Sequence, residues 1–139
     1  MREKNISLIQ TVFEAFGRGD IQTILDHLDE NVDWRLETTA TNIPFAGVRH
    51  GKKEVLGFFE ALGGTAEQHN LQISEYVADG DNVIALGRYS AVVKATAKKT
   101  DGLVALAFKV RDGKITKFVD FVDSANISAA YPQSANASA

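Results

Sequence analysis

Cysteine is absent from this chain of 139 residues, which excludes disulfides, thiolate metal ligands and thiol nucleophiles, and fits a reducing compartment. Basic excess is lacking too. The formal net charge is -3, the sequence pI is about 5.6, and no long basic run occurs, so nucleic acid and anionic membrane surfaces find no electrostatic footprint. No apolar run approaches the ~20 residues that a membrane span needs. Histidine occurs three times, at His27, His50 and His69, and no two of these have the spacing of a zinc pair; neither a metal site nor a cofactor is expected. Proline occurs only twice, and neither a linker nor an internal repeat divides the chain. The N-terminal stretch "MREKNISLIQTVFEAF" carries charge, but its apolar residues are spaced rather than continuous. It reads as a helix and not as a signal peptide, and a soluble, cytoplasmic protein is expected.

What is present is enough apolar sequence, 45% of residues, to give one domain a substantial core. Ile6, Ile9, Val12, Phe13 and Phe16 recur at helical spacing, and the helix they define should end near Gly17 to Gly19. Asp20 then caps a second helix, "IQTILDHLDE", with Ile21, Ile24, Leu25 and Leu28 on its apolar face. "NVDWRLE" alternates Val32, Trp34 and Leu36 with charged residues, the period of a half-buried strand. "TTATNIPFAGVRHG" reads as a loop across the mouth of a cavity. A third helix, "KKEVLGFFEALGG", buries Val55, Phe58, Phe59 and Leu62 and stops at Gly63 and Gly64. Strands follow, joined by hairpin signals: "NLQISEYVA", turn "DGDN", "VIALGRYSAVVKATA", turn "KKTDG", "LVALAFKV", turn "RDGK", and "ITKFVDFVD". The order is helix, helix, strand, helix, then a four-strand meander. It predicts an α+β domain with three N-terminal helices packed in a curved, mainly antiparallel sheet, a cone-shaped α+β barrel. The domain is expected over residues 1–127, with 128–139 as a flexible tail. The last strand, "KFVDFVDSANI", sets Asp120 and Asp123 among phenylalanines and valines. A carboxylate buried there needs a proton or a partner.

Four stretches, "AFGRGDIQTILDHLDENVDW", "IPFAGVRHGKKEVLGFFEAL", "VADGDNVIALGRYSA" and "FKVRDGKITKFVDFVDSA", resemble the SnoaL-like polyketide cyclase family. That family belongs to the larger ketosteroid isomerase and nuclear transport factor 2-like superfamily. The resemblance spans roughly residues 6 to 127. It implies a deep apolar pocket between helices and sheet and a homodimer through the outer sheet face. Val83, Ala85, Ala91 and Val93 are assigned to that outer face as apolar residues needing a partner surface.

Strand parity then suggests the candidates for chemistry. One face of "VIALGRYSAVV" holds Ile84, Leu86, Arg88, Ser90 and Val92, and one face of the last strand holds Phe118, Asp120 and Val122. If both look inward, Arg88 and Asp120 meet in the cone, either as a salt bridge or as a general acid/base with its orienting cation. Asp123 lies on the opposite parity beside "SAN", where capping is its plain reading, while the family resemblance makes it a second candidate base. His50 is a candidate at the pocket rim. His27 and His69, among polar neighbours, are assigned to the surface. Trp34, Phe16, Phe45, Phe58, Phe59 and Phe108 are expected as pocket walls, with Ser90 among them.

Within the superfamily, the steroid isomerase scheme is disfavoured. Leu36 beside Glu37 stands where its base belongs, Val12 or Phe13 where its helix-one tyrosine belongs, and "LVALAF" where its oxyanion-hole acid belongs. The limonene epoxide hydrolase scheme keeps Arg88 and Asp120 but has Ser90 in place of an aspartate. The expected function is a cofactor-independent cyclase, isomerase or dehydratase acting on a small apolar carbonyl or polycyclic compound. A non-catalytic binder of small ligands, an epoxide-hydrolase-like enzyme with an incomplete Asp-Arg-Asp set, and a structural dimer with a filled core are the alternatives.

Overall fold

The computed structural model describes residues 2–133. Helix α1 (Arg2–Gly17) buries Ile9, Val12 and Ala15, the helical stripe read from sequence. It ends where Gly19 takes a φ of +72°, a conformation that costs glycine little. Asp20 caps α2 (Ile21–Asp26), its carboxylate accepting from the Thr23 amide at 3.1 Å. This helix is shorter than its apolar spacing suggested. Leu28 belongs to strand β1 (Leu28–Leu36), where it is fully buried. Part of the predicted mouth loop forms a four-residue strand, β2 (Gly47–His50), paired antiparallel with β1. Helix α3 (Gly51–Thr65) buries Val55, Phe58, Phe59 and Leu62, and it runs through Gly63 and Gly64 instead of stopping at them.

The meander is β3 (Ala66–Asp79), β4 (Asn82–Val93), β5 (Lys99–Arg111) and β6 (Lys114–Val122). Two of its hairpins turn where expected. Gly80 has φ +58°, and Asp112 and Gly113 have φ +52° and +75°, the left-handed values that tight two-residue connections require. The middle turn falls at residues 94–98, so most of the predicted turn "KKTDG" is already strand β5. The sheet order is β2-β1-β6-β5-β4-β3. Every pairing is antiparallel except β1 with β6. Register shifts in β3, at Glu67/Asn70 and Ile73/Glu75, bend the long strands and curl the sheet. Helix α1 lies on β3 and α3 on β1, inside the curve, which is the α+β cone expected from sequence.

The segment assigned to a tail from residue 128 carries the end of a fourth helix, α4 (Ser124–Ala130), packed on β5. Ile127, Ala130 and Tyr131 are buried. Asn126 Oδ1 accepts from Thr100 Oγ1 at 2.6 Å and from the Asp101 amide at 2.9 Å. Asn42, in the β1–β2 loop, exchanges hydrogen bonds with Ser128. The helix and the loop therefore close one end of the cone together. Residues 134–139 of the expected tail lie outside the described residues. No helix among the described residues is long and apolar enough to cross a membrane.

Candidate active site

Between helices and sheet lies a cavity of about 90 Å³, several times the space that one buried water needs. Its walls include Phe16, Trp34, Phe45, Phe58, Phe59 and Phe108, all expected there. Trp34 anchors them, its ring centroid 4.1 Å from Phe118, 5.4 Å from Phe58 and 5.6 Å from Phe59. Parallel pairing of β1 with β6 sets Trp34 beside Phe118. Strand alternation then brings Asp120 to the same inner face, two residues further along β6.

Asp120 is a cavity wall. The residue as a whole is only partly buried, yet its Oδ1 is enclosed and has no hydrogen-bond partner among the described residues. Burial alone pushes its pKa up to about 7. Trp34 Nε1 is the other enclosed side-chain atom without a partner among the described residues, so none of them supplies the acceptor that the indole N–H wants. One orphaned donor and one orphaned carboxyl oxygen thus belong to residues lining the same apolar space.

Arg88 does not meet Asp120. It lies on the outer face of β4 and pairs with Asp101 at 2.9 Å, both side chains substantially exposed. The inward set of β4 is Val83, Ala85, Tyr89, Ala91 and Val93, four of them buried and Tyr89 partly so. The face assignment from sequence is therefore inverted on this strand. Val83, Ala85, Ala91 and Val93 are core and not an outer patch, and Ser90 sits on Arg88's face, outside the cavity. Both faces of β4 carry apolar residues, so alternation gave no sign of which one turned inward. The inversion also separates the arginine from the acid that an epoxide-hydrolase scheme would join to it.

Asp123 is exposed and caps α4, Oδ1 accepting from the Asn126 amide at 3.1 Å; it does not line the cavity. His50 is exposed at the start of α3, where its backbone amide donates to Glu54 Oε1 at 2.8 Å, and it too lies outside the cavity.

Two residues missed from sequence complete the surroundings. Tyr89 lines the cavity, and its hydroxyl hydrogen-bonds His69 Nδ1. His69, assigned to the surface, is partly buried edge-on to Phe16, ring centroids 6.0 Å apart. Burial chiefly, with the charge of Lys94 acting in the same direction, holds its pKa below the usual histidine value. Burial, followed by Tyr131 and Asp120, raises that of Tyr89. No local signal singled out Tyr89, because its strand is apolar on both faces. Among the described residues, no group of three or more His, Cys, Asp or Glu could hold a metal ion.

A curved mixed sheet wrapped on helices, with this order of elements, defines the nuclear transport factor 2-like class of α+β fold. Residues 9–118 match the SnoaL-like domain, and the chain belongs to that family. Among solved structures it is similar to a nuclear transport factor 2-like protein of unknown function from Burkholderia pseudomallei K96243. That match has 20% identity and a TM-score of 0.86, covering 92% of this chain and 97% of the other. It is similar to TerC, co-crystallized with polyporic acid, at 20% identity and TM-score 0.82, over 91% and 97% of the two chains. A provisionally assigned polyketide cyclase from Xanthomonas campestris pv. campestris matches at 22% identity and TM-score 0.81, over 93% and 97%. At these identities the likeness is one of fold. No curated protein matches the sequence.

Proposed function

We propose that the chain is a cofactor-independent enzyme of the cyclase, isomerase or dehydratase type. In this reading Asp120 is the acid/base and a small apolar carbonyl compound is the substrate. The observation that carries the proposal is the pair of orphaned polar atoms, Trp34 Nε1 and Asp120 Oδ1, on residues of one aromatic-walled cavity. A carbonyl oxygen of the substrate accepts from Trp34 Nε1–H. Asp120, ionised, takes a proton from the carbon next to that carbonyl; the C–H electron pair moves into an enolate whose oxygen stays on the indole N–H. Return of the proton at another carbon gives an isomer; attack of the enolate carbon on a second carbonyl closes a ring, and the alkoxide formed as that C=O π bond opens takes the proton back from Asp120. A carboxyl with a pKa of about 7 suits both halves of such a cycle, because acid and base forms coexist at neutral pH. The family membership, the fold shared with a provisionally assigned polyketide cyclase and TerC's co-crystallization with polyporic acid support this reading.

The test requires no knowledge of the natural substrate. Exchange of the α-hydrogens of 2-tetralone in D2O, followed by proton NMR, reports carbonyl-directed proton abstraction. The wild-type chain should accelerate exchange, and Asp120→Asn should lower the catalysed rate by about 10²- to 10⁴-fold while leaving binding intact. Exchange that persists undiminished in Asp120→Asn rejects Asp120 as the base. Binding without any acceleration by the wild type favours a ligand-binding role for the same cavity.

We also propose a homodimer through the outer sheet face, formed by residues other than those chosen from sequence. Leu103 is 68% exposed and Phe121 58%; Ile84, opposite Ala107, is exposed on the same face, and Leu86 and Phe121 both lie opposite Ala105. Apolar side chains grouped in this way on a sheet face call for cover.

A further inference from the structure

His69 and Tyr89 form a cluster that the proposed chemistry does not use, and its hydrogen-bond directions can be assigned. His69 Nε2 lies 3.1 Å from the carbonyl oxygen of Ala66. A carbonyl only accepts, so Nε2 carries the ring hydrogen. In the neutral ring Nδ1 then has only a lone pair, and the hydroxyl of Tyr89, its partner, must be the donor. The lowered pKa of His69, caused mainly by burial, keeps the ring neutral. The raised pKa of Tyr89 keeps the phenol protonated. That proton is committed to His69, and Tyr89 makes no other hydrogen bond among the described residues. What its oxygen can still offer is a lone pair, and Tyr89 lines the same cavity as Trp34 and Asp120.

We infer that Tyr89, its hydroxyl proton held by His69, is a specificity-determining acceptor that selects ligands bearing a hydroxyl or N–H donor as well as a carbonyl. The inference rests on the reading of the cavity as a carbonyl-compound site and narrows its ligand class to hydroxylated cyclic or aromatic carbonyl compounds. A plain ketone leaves the Tyr89 lone pair without a partner. An ether sets one acceptor against another, which neither oxygen can relieve while His69 holds the phenol proton.

Two measurements test this. The first requires no ligand: nitrogen-15 NMR of the labelled protein at about pH 7 should show His69 neutral, with hydrogen on Nε2 and an Nδ1 resonance that moves in Tyr89→Phe. A His69 carrying hydrogen on Nδ1, or an imidazolium, overturns the inference. The second compares 4-hydroxyacetophenone, acetophenone and 4-methoxyacetophenone by titration calorimetry. Wild type should bind the hydroxyl compound about tenfold more tightly than acetophenone, and the methyl ether most weakly. Tyr89→Phe should erase the preference, bringing the hydroxyl compound and acetophenone within about twofold of one another. His69→Leu, by releasing the phenol proton toward the cavity, should raise affinity for the methyl ether. If the probes bind but the preference is absent, or survives in Tyr89→Phe, the role of Tyr89 is rejected and the carbonyl site stands. If none of the three binds, the carbonyl-site reading fails and this inference with it.

Discussion

At the scale of a single residue, Asp120 adds a pH-dependent contribution to stability that its surroundings set. Burial raises its carboxyl to about 7 in the folded chain, against about 3.9 when unfolded. The folded state therefore holds the proton more tightly, and the stability this contributes is fully present below about pH 4 and lost as pH rises through about 7. The loss amounts to roughly 4 kcal/mol. Urea unfolding of wild type and Asp120→Asn from about pH 4 to 8 should show the wild-type stability falling relative to the variant, with the gap levelling off above neutrality. Parallel curves would mean that the carboxyl is solvated. Asp120 was legible in the sequence because a carboxylate between Phe118 and Val122 conflicts with its surroundings. Trp34 was legible through clean alternation on β1. Arg88 and Tyr89 were exchanged because "VIALGRYSAVV" is apolar on both faces, so placing one side chain inward depended on a parity that local sequence does not encode. His69 looked solvated among Glu67, Gln68 and Asn70, which point elsewhere around a bulge at the start of β3.

At the scale of elements, β3 and β4 meet with almost no room at Gly87. A Cβ added there would lie 2.1 Å from the carbonyl oxygen of Gln72, a backbone atom that cannot swing aside. Gly87→Ala should therefore cost about 2 kcal/mol or more in denaturant unfolding, because the two longest paired strands must separate locally. A change within about 0.5 kcal/mol would show that the strands approach less closely than described. The elements that sequence reading missed share one property. Strand β2 has four residues and α4 has seven, too short to be stable alone. Strand β2 exists through its pairing with β1. Helix α4 exists through the Asp123 cap, the Asn126 bonds to β5 and the burial of Ile127 and Tyr131. Its "SANISAA" carries one large apolar residue and no period. Likewise Gly63 and Gly64 signal a stop, but α3 continues to Thr65, whose hydroxyl donates back to the Ala61 carbonyl at 2.6 Å and hydrogen-bonds Tyr131.

For the whole molecule, the proposed dimer makes a sharp expectation. Leu103→Lys, which puts a charge on the most exposed large apolar side chain, should shift the chain from dimer to monomer in light scattering, with circular dichroism unchanged. A wild-type chain that is already monomeric at working concentration rejects the outer-face interface. The sequence by itself determined the elements with strong periods or turns of fixed chemistry. These are the stripes of α1 and α3, the alternation of β1, and the Gly80 and Gly113 hairpins, and from their order follow the cone and its aromatic interior. Such signals are local, because a helical stripe or a positive-φ turn is decided within a few residues of chain. The tertiary structure alone decided which face of β4 turns inward, that Asp120 stands without a cation among the described residues, and that a fourth helix closes the cone. Each of these depends on strand register and docking between residues far apart in sequence, where the free energy comes from contacts that no short stretch of chain contains.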